Sequence, residues 1–119
     1  MKFMVSLITD GTAMENTTPE QMKEFGARMG EYMAELGDSG ALVDPGAPLG
    51  PSASARTLRR KSGKVVVTDG PFAETKEQIA GYMVLECKDI DEATDWAERM
   101  PVLGGAIEVR PIAERPSGP

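Results

Sequence analysis

KVVVTDGPFAETKE, residues 64–77, runs directly into QIAGYMVLECK, residues 78–88, and the reading of these two pieces decides the fold. Val65, Val66, Val67 and Thr68 are β-branched and stiff, so the first piece opens as an extended strand. It stops at Asp69-Gly70-Pro71. Pro71 fixes its own φ and pushes Gly70 out of the α region, while Asp69 is placed to accept a backbone hydrogen bond in an Asx-type turn. The second piece alternates Ile79, Gly81, Met83, Leu85 and Cys87 with Ala80, Tyr82, Val84 and Glu86. Both sets are largely apolar, as in a strand covered on both sides.

Working outward, Lys2 to Thr9 also reads as a strand, with Phe3, Val5 and Leu7 on one face and Met4, Ser6 and Ile8 on the other. A polar loop then runs to Thr17. Thr18-Pro19-Glu20-Gln21 is a helix start, because Thr18 caps, Pro19 suits the first helical position and Gln21 completes a capping box. Met22, Phe25, Met29, Met33 and Leu36 come next at helical spacing and form the buried stripe. Gly26 and Gly30 each cost roughly 1 kcal/mol in a helix interior, and close approach to a sheet is the reason they suggest. Gly37 or Gly40 ends the helix.

A short strand is expected at 41–43. Pro45, Pro48 and Pro51 then send an extended segment over the surface. Residues 56–60 and 64–68 pair as a hairpin across Lys61-Ser62-Gly63. Asp89-Ile90-Asp91-Glu92 opens a second helix with Ile90, Ala93, Ala97 and Met100 buried and Trp96 at their flank. Residues 106–112 form the last strand. Residues 1–112 are thus one domain, and 113–119 a flexible tail.

The order β-α-β, hairpin, β-α-β specifies an α+β ferredoxin-like sandwich. Two helices cover one face of its sheet, yet Ala80, Tyr82, Val84, Met4 and Ile8 offer apolar surface to the other. A second copy stacked sheet to sheet is the simplest cover, which makes a homodimer with a dimeric α/β-barrel assembly.

Composition narrows the function. A net charge of −6 across 119 residues argues against direct nucleic-acid binding. No apolar run reaches membrane-span length, so no membrane partner is expected. The single cysteine, Cys87, excludes an internal disulfide and fits a reducing, cytoplasmic setting. Histidine is absent, which removes the usual general base and the commonest metal ligand. Asp and Glu can bind hard cations, but no ligand spacing supports a metal site, and no cofactor is implied.

The densest group of chemically capable side chains lies in the turn and the charged segment after it: Asp69, Phe72, Glu74, Lys76, Glu77 and, one strand on, Tyr82. The carboxylates supply acid/base groups or hydrogen-bond acceptors, Lys76 a cation, and Phe72 and Tyr82 walls for a small polar ligand. A charge run after a turn is ordinarily a solvated surface, and its mutual ion pairs are worth under about 1 kcal/mol each.

Thr68 to Glu77 resembles the signature of the DGPF-type branch of the YCII-related family. The likeness extends to Gly81-Tyr82 and to residues 105–111, and it covers essentially the whole chain. It implies the same dimer of ferredoxin-like units and assigns no reaction. Better-understood members of the wider family are associated with a histidine on the first helix and an aspartate near the end of the second. Here there is no histidine and the second helix ends Glu98-Arg99-Met100-Pro101, so that dyad transfers to no residue. A lyase- or isomerase-like activity would have to run on carboxylates. The branch also resembles proteins associated with extracytoplasmic-function sigma factors, which implies a transcription-linked partner as the alternative to a ligand.

Overall fold

Three strands rich in Phe, Val, Met and Leu lie side by side at the centre of the molecule. β1 (Lys2–Thr9) pairs antiparallel with β5 (Gln78–Glu86) on one side and β6 (Ala106–Pro111) on the other. β2 (Leu42–Pro48) adds antiparallel to the outer edge of β5, giving the order β2-β5-β1-β6. The computed structural model describes residues 1–73, 75 and 77–115, the side chains at 13 and 14 excepted. Helices α2 (Pro19–Ser39) and α3 (Ile90–Arg99) come after β1 and β5 respectively. This antiparallel sheet with its two long helices is a mixed α+β architecture, consistent with the ferredoxin-like reading.

The core lies between sheet and helices. Phe3, Val5 and Leu85 are fully buried, Met83 nearly so, and they meet Leu36 of α2 with Ala93 and Ala97 of α3. Burying a residue of this size contributes about 1.5–3 kcal/mol. Both helix starts are chemically closed. The Gln21 amide N–H donates to Thr18 Oγ1 at 3.1 Å, and the Thr18 N–H donates to Gln21 Oε1 at 2.9 Å. Asp89 Oδ1 accepts from the Glu92 N–H at 2.9 Å. Gly40, at φ +81°, closes the far end of α2.

The two helices are pinned by a cluster that the apolar stripe did not include. The Tyr32 hydroxyl donates to the Trp96 carbonyl oxygen at 2.6 Å, and the two rings meet edge to face with centroids 6.2 Å apart. Arg99 stacks on Trp96 at 4.1 Å and reaches Glu35 at 2.8 Å. Burial pushes the Tyr32 hydroxyl up to about 12, against a partial opposing pull from Arg99.

Several expectations are corrected. Gly26 and Gly30 do not mark a close approach to the sheet: both are exposed, and a Cβ at either would meet nothing within 4 Å among the described residues. The proline-bearing segment is a full strand through Pro48, tolerated because β2 is an edge and its register is irregular. There Gly46, at φ +66°, lies so close that a Cβ would overlap the Tyr82 carbonyl oxygen. The loop before Thr17 contains a single helical turn, α1 (Thr12–Glu15), where Asp10 Oδ1 accepts from the Thr12 N–H at 2.9 Å.

Ile90 is half exposed rather than buried. The register of β1 against β5 shifts between Leu7 and Ile8, so that Leu7 faces Gly81 while Ile8 faces Ile79. That shift moves Ile79 off the core side, and it is 50% exposed. Of the tail expected at 113–119, residues 116–119 lie outside the described residues.

The face of the sheet away from the helices carries Met4, Ser6 and Ile8 on β1, Tyr82 and Val84 on β5, and Glu108 and Arg110 on β6. Ser6 sits directly between Tyr82 and Glu108. It is 2% exposed, and its hydroxyl has no hydrogen-bond partner among the described residues. Between β2 and β5 the chain leaves the sheet as a separate hairpin, β3 (Arg56–Lys61) and β4 (Lys64–Asp69). Its turn is the pair Ser62-Gly63, both at positive φ, the geometry that suits a two-residue hairpin loop.

Candidate functional site

The hairpin determines where the Asp69-Gly70-Pro71-Phe72 turn sits. β4 ends at Asp69, and Gly70 is next at φ +106°, a region open to glycine and strained for other residues. The Gly70 N–H donates to the Ala55 carbonyl at 2.7 Å, and the Thr57 hydroxyl donates to the Gly70 carbonyl at 2.8 Å. Arg59 donates from Nη2 to the Phe72 carbonyl at 2.8 Å, and its guanidinium lies 5.2 Å from the Phe72 ring centre. The loop beyond Phe72 is tied by Gln78. Its side-chain amide donates to the carbonyls of Ala73 and Thr75 at 2.8 and 3.0 Å and lies 3.1 Å from Thr75 Oγ1. The Thr75 hydroxyl in turn donates to the Glu77 carbonyl at 2.6 Å.

Asp69 does not form the expected Asx contact. Its side chain is 91% exposed and lies 3.6 Å from Arg56 Nε, a loose surface pair. The backbone of Ala55 and the hydroxyl of Thr57 hold the turn instead, because the hairpin brings them alongside Gly70.

Two grooves flank the turn. One, of about 460 Å³, is lined by Ser52, Asp69, Gly70, Pro71, Thr75 and Gln78. The other, of about 600 Å³, shares Ser52, Pro71 and Gln78 with it and continues along Leu49, Leu58, Phe72 and Ile79, so it is the more apolar of the pair. Glu77 is directed elsewhere. It lines a third cavity, of about 550 Å³, with Asp10, Thr12, Asn16, Gly104 and Gly105 beyond the end of β1. Tyr82 is on the open sheet face, opposite Ser6 and Ala47.

The described candidates therefore fall in separate places: Asp69 and Phe72 at the turn, Glu77 across the sheet end, Tyr82 on the sheet. Glu74 and Lys76 lie outside the described residues. Ser52, Thr75 and Gln78 were not singled out from the sequence. The run Pro51-Ser52-Ala53-Ser54, set between two strands, was the signal available for the first of them.

Among the described residues, no three potential metal ligands come together. No helix there is long and apolar enough to cross a membrane. Cys87 is buried, and burial together with neighbouring Glu92 pushes its thiol up, away from the reactive thiolate.

An uncharacterized protein of Rhizobium meliloti (strain 1021) is 41% identical over 95 residues, covering 77% of this chain and 73% of that protein. The model of the YCII-related domain matches residues 1–115. The chain belongs to the YCII-related domain family.

Proposed function

We propose that this is a small homodimeric protein of the DGPF-type branch that binds a small polar molecule in the groove beside the Asp69-Gly70-Pro71-Phe72 turn, and that it acts in the cytoplasm. The observation that carries the reading is the pre-organised wall of that groove. Gly70, Thr75 and Gln78 line it, and they and the adjoining Phe72 and Ala73 are all tied by hydrogen bonds of 2.6–3.1 Å before any ligand arrives. A loop already ordered does not lose that freedom on binding, which leaves more of the contact energy as affinity. The groove offers the Asp69 carboxylate, the Ser52 hydroxyl and the edges of Thr75 and Gln78. Glu74 and Lys76, on either side of Thr75 in the sequence, are proposed as further ligand contacts. Two copies meet through the open sheet face, burying Met4, Ile8, Tyr82 and Val84. Any catalysis in this site runs on carboxylate, lysine or tyrosine groups, since imidazole is absent.

A second reading is favoured by the exposure of Phe72, which at 77% suits a contact with another protein; a transcription-linked partner of the sigma-factor type is its candidate. A thermal-shift screen of amino acids, hydroxy acids and polyols at millimolar concentration separates the two. Under the ligand reading at least one compound stabilises the protein, by about 1.4 kcal/mol at ten times its Kd. Glu74→Gln, Lys76→Met and Ser52→Ala remove that response while each leaves stability within about 0.5 kcal/mol. No stabilising compound, or a response that survives all three variants, refutes the groove as the site.

A further inference from the structure

We propose that the β3–β4 hairpin is an arm that clasps a second copy of this chain; the inference rests on the homodimer reading and names the element that secures it. The arm has little to pack against in its own chain. Every residue of β4 is exposed, and Leu58, Val67, Val65 and Val66 are 63, 56, 48 and 44% exposed. A lone two-stranded ribbon is only marginally stable in water, and stability comes from covering an apolar face. The register supplies such a face: Leu58 lies directly opposite Val67, and Val65 opposite Arg60.

This face continues into the sheet. Leu58 shares the 600 Å³ groove with Leu49, Phe72 and Ile79, and Ile79 pairs with Ile8 on the open sheet surface. One partner seated on the sheet therefore reaches the arm as well.

Charge selects that partner. Between 56 and 69 the arm carries Arg56, Arg59, Arg60, Lys61 and Lys64 against Asp69 alone, a net +4. The whole chain is −6, so everything outside the arm is −10. A second copy thus presents both things the arm lacks, an acidic body and an open apolar sheet, and the two-fold relation lets each arm grip the other protomer.

The test uses the full-length protein in sedimentation equilibrium between 0.5 and 100 µM, a range of about 200-fold, with hydrogen exchange on residues 56–69 at both ends of it. The arm amides gain protection as the dimer forms. Leu58→Asp with Val67→Asp raises the dimer Kd at least about tenfold, and both residues are exposed in the single chain, so folding is retained. Raising salt from about 0.05 to 0.5 M weakens the wild-type dimer, because the arm contributes charge. Val84→Asp, on the sheet face, is the control. A dimer that Val84→Asp dissociates, but whose arm stays unprotected and whose Kd ignores Leu58→Asp, overturns the clasp and leaves the dimer standing. A wild-type monomer throughout the range overturns both. Arm protection that appears only on adding DNA or another acidic protein overturns the second copy as the occupant.

Discussion

Replacing Tyr32 by phenylalanine removes one oxygen atom and tests how the two helices are held together. The hydroxyl donates to the Trp96 carbonyl at 2.6 Å from a residue that is 5% exposed. Deleting it leaves a carbonyl without that donor, at a cost of about 1–2 kcal/mol near neutral pH. The alkaline range gives the sharper readout. Burial pushes this hydroxyl from 10.0 up to about 12, so the folded protein holds its proton while the unfolded chain has released it. The associated stability is complete below pH 10, declines as pH rises from 10 to 12, and is lost above that. At about 1.36 kcal/mol per unit, the loss across the window is roughly 2–3 kcal/mol. Urea unfolding of the wild type and Tyr32→Phe, at one protein concentration and at pH 8, 10 and 11.5, measures it (the pH values being on the order of one unit apart or more). Every other ionisable group is present in both proteins, so the difference isolates Tyr32 together with its electrostatic coupling to Arg99, Glu35 and Cys87. The wild-type advantage at pH 8 should shrink steeply above pH 10 and reverse sign. A difference that stays constant with pH would refute the argument that Tyr32 is held protonated by burial.

The geometry gives two further outcomes. Gly26→Ala and Gly30→Ala, in open space on α2, should each raise stability by roughly 0.5–1 kcal/mol in thermal unfolding; a loss at either would reveal a neighbour in the assembled protein. Ser6→Ala removes a buried hydroxyl that has no partner among the described residues, so it should leave stability unchanged or raise it by about 1 kcal/mol in urea titrations. A loss there would mean that the hydroxyl is satisfied across the dimer or by a ligand.

Much of the fold was legible because its signals are local. The capping box at Thr18 and Gln21, the cap at Asp89, the left-handed stop at Gly40 and the Ser62-Gly63 turn each depend on residues a few positions apart. The alternation of Phe3 and Val5 with Met4 and Ser6 assigned β1 to two unlike environments, and the β-α-β, hairpin, β-α-β order then admitted a single familiar antiparallel sheet. The run Asp69-Gly70-Pro71 likewise located a turn, since Pro71 fixes its own φ and keeps Gly70 out of the α region, and Gly70 is found at positive φ.

Beyond the reach of the sequence were the facts that depend on a distant strand. Ile79 reads as a core residue by alternation, yet the register shift of β5 against β1 turns it outward. The prolines of β2 are tolerated because that strand has a neighbour on one side only. Gly26 and Gly30 read as contact points, yet a Cβ at either would have no neighbour within 4 Å among the described residues. At the turn, the sequence named Asp69 as the anchor, while the hairpin brought Ala55 and Thr57 alongside Gly70 and left the carboxylate in solvent. The contiguous cluster of charges was dispersed for the same reason. Asp69 ends β4, Glu77 immediately precedes β5 and Tyr82 lies within β5, with a turn and loop between the two strands. Asp69 and Glu77 therefore line different cavities and Tyr82 lies on the sheet face. That placement follows from β4 pairing with β3 in a separate hairpin while β5 pairs in the main sheet.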